Sequence, residues 1–155
     1  LENGKLVMQN PVMSGQNSDA RPYRMRALRA IQNLATPDVI VLEEIVADLP
    51  ASGGGEAVLN AAGGTYDRAA QTLMFDQPFT VTTDSGMSAQ FQSADIDLAG
   101  GAMTTAAPVS IRTEEASVVA QSMQMQDKGR VIIFKDQVRM TIKPSAVRSK
   151  DGVAN

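Results

Sequence analysis

Apolar and polar residues alternate along most of this chain, and the alternation comes in copies. From Leu73, the odd positions Leu73, Phe75, Phe79 and Val81 are apolar, whereas Asp76, Thr80 and Thr82 fall between them. Further on, Met103, Val109 and Ile111 alternate with Thr104, Ser110 and Arg112. A later copy sets Ile132, Phe134, Val138, Met140 and Ile142 against Lys135, Arg139 and Thr141. Another runs from Leu6 to Ser14, and a looser one from Val39 to Ala47. Related segments at intervals of about 30 residues are an internal repeat. A period of two puts one face of a strand on an apolar interior and the other in water.

Each copy is interrupted near its middle. Pro11, Pro78 and Pro108 follow apolar pairs. Proline has no N–H to give to a ladder, so it marks a bend or a bulge. Each copy is therefore predicted to be a bent strand pair. Turn signals precede three of them: Asn3-Gly4-Lys5, Ala99-Gly100-Gly101 and Asp127-Lys128-Gly129-Arg130. Glycine there supplies the positive φ of a tight turn. Linking strands alternate as well, with Ala94, Ile96 and Leu98 against Asp95 and Asp97, and Met123 and Met125 against Gln124 and Gln126.

Between Ala27 and Ala35, the spacing of Leu28, Ile31 and Ala35 would suit a helix. Tyr23, Met25 and Ala27 alternate with Arg24 and Arg26 just before it, and no capping box precedes them, so a strand is predicted. Ala51-Ser52-Gly53-Gly54-Gly55 reads as a mobile hairpin loop. Residues 1–143 form one domain on this reading, and 144–155 a polar, aperiodic tail expected to be disordered. The class is all-β: repeated bent antiparallel strands folded into a sandwich, a jelly roll or a half-open barrel.

Composition narrows the chemistry. The 155 residues include no Cys and no His. A Ser-His-Asp triad, a thiol nucleophile and a Cys or His metal site cannot be assembled. No cofactor is expected, and carboxylates or lysines are left to carry any catalysis. Asp95 and Asp97 share an outward strand face and Glu114-Glu115 lie in a turn, a pattern that reads as solubility and edge protection. Aromatics make up 4% of the chain, which argues against a stacked sugar site. A net charge of -3 gives no case for nucleic acid. Arg21, Arg24, Arg26 and Arg29 are the one basic cluster; it reads as a solvated strand face or as a contact for lipid phosphates or an anionic bilayer. No window approaches the ~18 apolar residues of a membrane span.

Two strand ends are candidates for open sheet edges that could accept another chain's strand. Leu6, Met8 and Val12 mark one, and Val138, Met140 and Ile142 the other. Nine Met suit an interior that repacks around an irregular apolar ligand, and equally suit a gap-filled core.

Several stretches, in order, resemble the LptC family of lipopolysaccharide-export proteins. They are Asn10-Pro11-Val12 through Asp19-Ala20-Arg21-Pro22-Tyr23-Arg24-Met25-Arg26-Ala27, then Ala62-Gly63-Gly64-Thr65-Tyr66-Asp67. Thr83-Asp84-Ser85-Gly86-Met87 to Ser93-Ala94-Asp95-Ile96-Asp97-Leu98 follows, and Asp127-Lys128-Gly129-Arg130-Val131-Ile132-Ile133-Phe134 with Val138 ends the series. The chain departs from the family pattern at Ala20, at Thr105-Ala106 and at Lys135-Asp136-Gln137, where the family usually or often has glycine.

The resemblance implies a twisted β-jellyroll, or half-open β-sandwich, whose trough holds the acyl chains of lipopolysaccharide. Its lining would come from Leu73, Phe75, Phe79, Val81, Met103, Val109, Ile111, Phe134, Val138, Met140 and Ile142. It implies a non-enzymatic periplasmic domain, anchored in the inner membrane by a helix N-terminal to this stretch. Lipid would come from the inner-membrane ABC transporter at the N-terminal edge and pass to an LptA-type bridge protein at the C-terminal edge. The alternative is a structural or assembly β-domain, as in an LptA-like bridge component, with no lipid site of its own.

Overall fold

The computed structural model describes residues 4–51 and 54–143. β1 (Lys5–Gln9) and β2 (Val12–Gln16) are followed by three long strands, β3 (Pro22–Asn33), β4 (Val39–Pro50) and β5 (Glu56–Asp67). Short strands complete the chain: β6 (Thr72–Phe75), β7 (Phe79–Thr83), β8 (Ser88–Phe91), β9 (Ala94–Asp97) and β10 (Ala102–Thr105). After them come β11 (Val109–Arg112), β12 (Ala116–Ala120), β13 (Ser122–Gln126), β14 (Val131–Lys135) and β15 (Arg139–Ile142). All pairings are antiparallel. The fold is an all-β, jellyroll-like curl of one sheet.

A row of bends divides that sheet into two facing halves. Ala27 pairs with Ile45 and Arg29 with Glu43, so Leu28 and Glu44 drop out of the ladder. Glu44 takes φ 54°, and the skip repeats opposite Ala62, between the Glu43–Gly63 and Ile45–Ala61 pairs. Strands on one side of this row form sheet A, in the order β1, the second half of β3, the first half of β4, the second half of β5, β6, β9, β10, β13, β14. Sheet B holds β2, the other halves of β3, β4 and β5, then β7, β8, β11, β12 and β15.

The repeat now has a structural meaning. β1–β2, β4, β6–β7, β10–β11 and β14–β15 each carry the chain from sheet A to sheet B, and these are the five sequence copies. The linking strands make the return, β8–β9 and β12–β13 among them. Pro11, Pro78 and Pro108 all stand at the crossings, where a missing N–H costs no ladder bond. Leu6–Ser14 is accordingly two strands rather than one, broken at Asn10 with φ 52°. Val138 likewise lies in the last crossing, one residue ahead of β15.

Alternation sends one parity of each strand between the sheets. In sheet B, Met13, Met25, Ala47, Leu59, Val81, Ala89, Ile111, Val118 and Met140 form one continuous cross-strand row. In sheet A the matching row is Leu6, Gln32, Ile40, Tyr66, Leu73, Ile96, Met103, Met125 and Ile132. Near the bends Phe79 packs tilted against Phe75 and stacked on Phe91, with ring centroids 4.5 and 4.8 Å apart. Each such buried ring contributes about 1.5–3 kcal/mol. β3 runs as strand to Asn33 with Ala30 and Gln32 buried, so the apolar interior and not the helical spacing decides that segment. The β4–β5 hairpin is closed by the Ala51 N–H donating to the Gly55 carbonyl at 2.9 Å; Ser52, Gly53 and the tail from Pro144 lie outside the described residues.

Candidate functional site

The two sheets pack on each other near the bends, and an apolar trough lies between their hairpin ends. Its floor is closed: Leu73, Phe75, Phe79, Val109 and Ile111 are buried. Above the floor lies a cavity of about 350 Å³. Sheet B lines it with Leu49, Ala57, Val81 and Met87, and sheet A with Ile96, Leu98, Met103, Met125 and Ile132. That size and lining suit a small apolar ligand or part of a larger one.

At the C-terminal end the apolar wall continues through β12 into β15. Met140 pairs with Val118, which pairs with buried Ile111, so Met140 faces inward. Met140 is nevertheless 61% exposed, Ile142 51% and Val138 49%. On the facing sheet Ile132 and Phe134 are half-buried. An inward apolar row this exposed is a trough open at its end.

Of the residues expected to line the trough, Val81 and Met103 border the cavity, and Leu73, Phe75, Phe79, Val109 and Ile111 lie beneath it as core. Phe134, Val138, Met140 and Ile142 belong to the open end. The lining expected from the sequence left out Ile96 and Met125 of the linking strands, Leu98 just past β9, and Leu49 and Met87 beside turns. The alternation of Ile96, Leu98 and Met125 marks them as inward, but alternation does not say which inward residues border the cavity.

The opposite end is polar. Tyr23 of sheet B reaches across, and its hydroxyl accepts a hydrogen bond from Gln71 Nε2 at 2.6 Å. Burial, and then a hydrogen bond with Tyr23, push the Tyr66 phenol from 10.0 up to about 12. Gly15 lies beside the Tyr23 ring, where a Cβ would collide with it. Beyond them β1 and β2 pair only with β3 and form the N-terminal edge. Leu6 and Met8 face inward there, but Val12 pairs with Arg26 on the outer surface, so the three do not share a face. β14 and β15 form the other edge, pairing only with β13 and β12.

The arginine cluster divides. Arg24 and Arg26 are exposed on the outer face, and Arg29 pairs with Glu43 at 2.9 Å. Arg21 instead reaches the β4–β5 hairpin, donating to the carbonyls of Ala51 at 2.6 Å and Gly55 at 2.8 Å. Asp95 and Asp97 are exposed on the outer face. Among the described residues no three His, Cys, Asp or Glu side chains come together to hold a metal ion. No helix among them is long and apolar enough to cross a membrane.

Two bent sheets around an open apolar trough define a β-jellyroll. Residues 2–143 match the family described as lipopolysaccharide-assembly, LptC-related, and the chain belongs to the LptC family. That membership ties it to lipopolysaccharide transport, in a family of periplasmic, inner-membrane-associated components. No curated protein sequence matches the chain significantly.

Proposed function

We propose that this domain is a passive, non-enzymatic carrier that takes lipopolysaccharide from the inner-membrane ABC transporter and hands it to an LptA-type bridge protein. One observation carries the reading: the inward apolar row of sheet B runs from Met13 to Met140 without a polar member, and its last residue is open to solvent. Burial of an acyl chain contributes roughly 0.8 kcal/mol per methylene. A chain held along such a wall is retained by many small terms and can slide without breaking any specific bond. The sugars and phosphates would remain in water. The open edges β1–β2 and β14–β15 favour a transporter-side and a bridge-side neighbour, each docking by strand addition.

The test is an equilibrium titration of the domain with lipopolysaccharide. Met140→Asp puts a charge on the inner face at a site exposed enough to leave the fold intact; Arg139→Asp makes the same change on the outer face of the same strand. Saturable binding weakened by the first and not the second supports the carrier. Absence of binding by the folded domain leaves the assembly role, which the open edges alone support.

A further inference from the structure

Away from the bends, the polar contacts between the two sheets gather at β2, the start of β3 and the loop joining them. The Ser18 N–H donates to the Ala99 carbonyl of the β9–β10 hairpin at 2.9 Å. Asp19 Oδ2 stands 3.6 Å from Lys128 Nζ and 4.0 Å from Arg130 Nη2, both on the β13–β14 turn. The loop is shaped for this by Asn17, whose side chain accepts from the N–H groups of Asp19 and Arg21 at 2.9 and 3.0 Å. The Asn17–Arg21 loop therefore straps the mouth of the trough.

Beneath the strap is a second, polar recess of about 360 Å³. Three cations line it, Arg21, Lys128 and Arg130, with Asp19 as its lining anion; Asp127, just outside, holds Arg130 at 3.2 Å. Asn17, Pro50, Ala51 and Lys128 border both the recess and the apolar cavity, so the two are adjoining chambers. Lys128 is held in place: its Cα would lie 2.7 Å from a Cβ on Gly101, a close approach that only glycine allows. Its side chain is 25% exposed. Yet the Asp19 contacts are long for charge-assisted bonds, and partly exposed pairs of that kind are weak.

Resting on the carrier reading above, we propose that this recess takes the phosphate group of an amphiphile whose chain lies in the trough. The phosphate binds Lys128 and Arg130 in the place of the Asp19 carboxylate. A phosphate brings more charge and three acceptor oxygens to cations already positioned. Its binding releases one of the strap's ties to sheet A, coupling the arrival of the head group to the loosening of the mouth.

The test compares dodecyl phosphate, dodecyl maltoside and inorganic phosphate, each titrated below micelle formation against the intact domain, K128Q/R130Q and D19N. The expected result is that dodecyl phosphate binds about tenfold more tightly than dodecyl maltoside. K128Q/R130Q removes that advantage and leaves maltoside binding unchanged, D19N increases the advantage, and inorganic phosphate alone does not saturate. Equal binding of the two amphiphiles, or a phosphate advantage that survives K128Q/R130Q, overturns the head-group site while leaving the carrier intact. Saturation by inorganic phosphate shows a free-phosphate site and overturns the amphiphile assignment. Failure of both amphiphiles to bind removes the carrier reading, and the head-group site with it.

Discussion

Tyr23 lies on sheet B and Gln71 in the β5–β6 turn of sheet A, and the 2.6 Å hydrogen bond from Gln71 Nε2 to the Tyr23 hydroxyl ties the two sheets together at the N-terminal end of the trough. The Tyr23 ring is buried over Gly15, and its hydroxyl also meets the Tyr66 phenol of sheet A. Tyr23→Phe keeps the ring and removes the tie. It is expected to cost about 1 kcal/mol and to lower the melting temperature by roughly 3 °C. Thermal unfolding followed by circular dichroism checks this; an unchanged melting temperature would mean that packing alone closes this end.

Tyr66 adds a pH dependence with a definite sign. Its pKa is raised from 10.0 to about 12 in the folded chain, by burial first and then by its hydrogen bond with Tyr23. Below pH 10 the phenol is protonated whether the chain is folded or not, and the stabilisation is fully present. Between about 10 and 12 the unfolded chain releases the proton while the folded chain retains it, so stability falls as pH rises. Urea midpoints of the wild type should drop across this window by more than those of Tyr66→Phe. Parallel curves would place the tyrosine in a more hydrated site.

Gly64 is where the Phe75 ring crosses the neighbouring strand. A Cβ there would lie 2.6 Å from Phe75 Cε1 and 3.2 Å from Ile45 Cδ1, both fixed in the core. Gly64→Ala is expected to destabilise by about 1–3 kcal/mol through overpacking. Gly54→Ala is the matched comparison at a site with nothing within 4 Å, where φ is +85° and backbone strain is the cost. In denaturant unfolding Gly64→Ala should be rescued in part by Phe75→Leu, and an additive double variant would exclude direct contact.

Ala20 occupies the strap with φ 61°. A left-handed conformation costs a residue with a Cβ about 1–2 kcal/mol, and glycine returns part of the gain through a freer unfolded chain. Ala20→Gly should therefore stabilise by about 0.5–1 kcal/mol, read as a higher urea midpoint at an unchanged slope. Asp136→Gly, at φ 67°, should gain less because Asp tolerates this region better.

Two of the three departures from the family's glycine pattern fall on these left-handed positions, at Ala20 and at Asp136 with Gln137. The turn geometry survives in this chain without glycine. The bends were legible for a related reason. Pro11, Pro78 and Pro108 cannot serve a ladder, so the alternation around them described two strands meeting at a corner. The closed floor and the open end were not separable that way. Alternation assigns Phe79 and Met140 to the same interior, but their exposure depends on how far apart the sheets stand, which twist and strand number set. The strap was also hidden, because Asp19 and Lys128 are distant in sequence and become neighbours only when the two sheets fold face to face.

Lipid carried along the inner row of sheet B would meet Val118 and Met140 near the C-terminal edge. A photo-crosslinking side chain at Val118 or Met140, both inward, is compared with one at Val119 or Arg139 on the outer face of the same two strands. With lipopolysaccharide present, lipid adducts are expected at the inward positions and none at the outward ones. Equal yields on both faces, or adducts confined to the outer face, would contradict it.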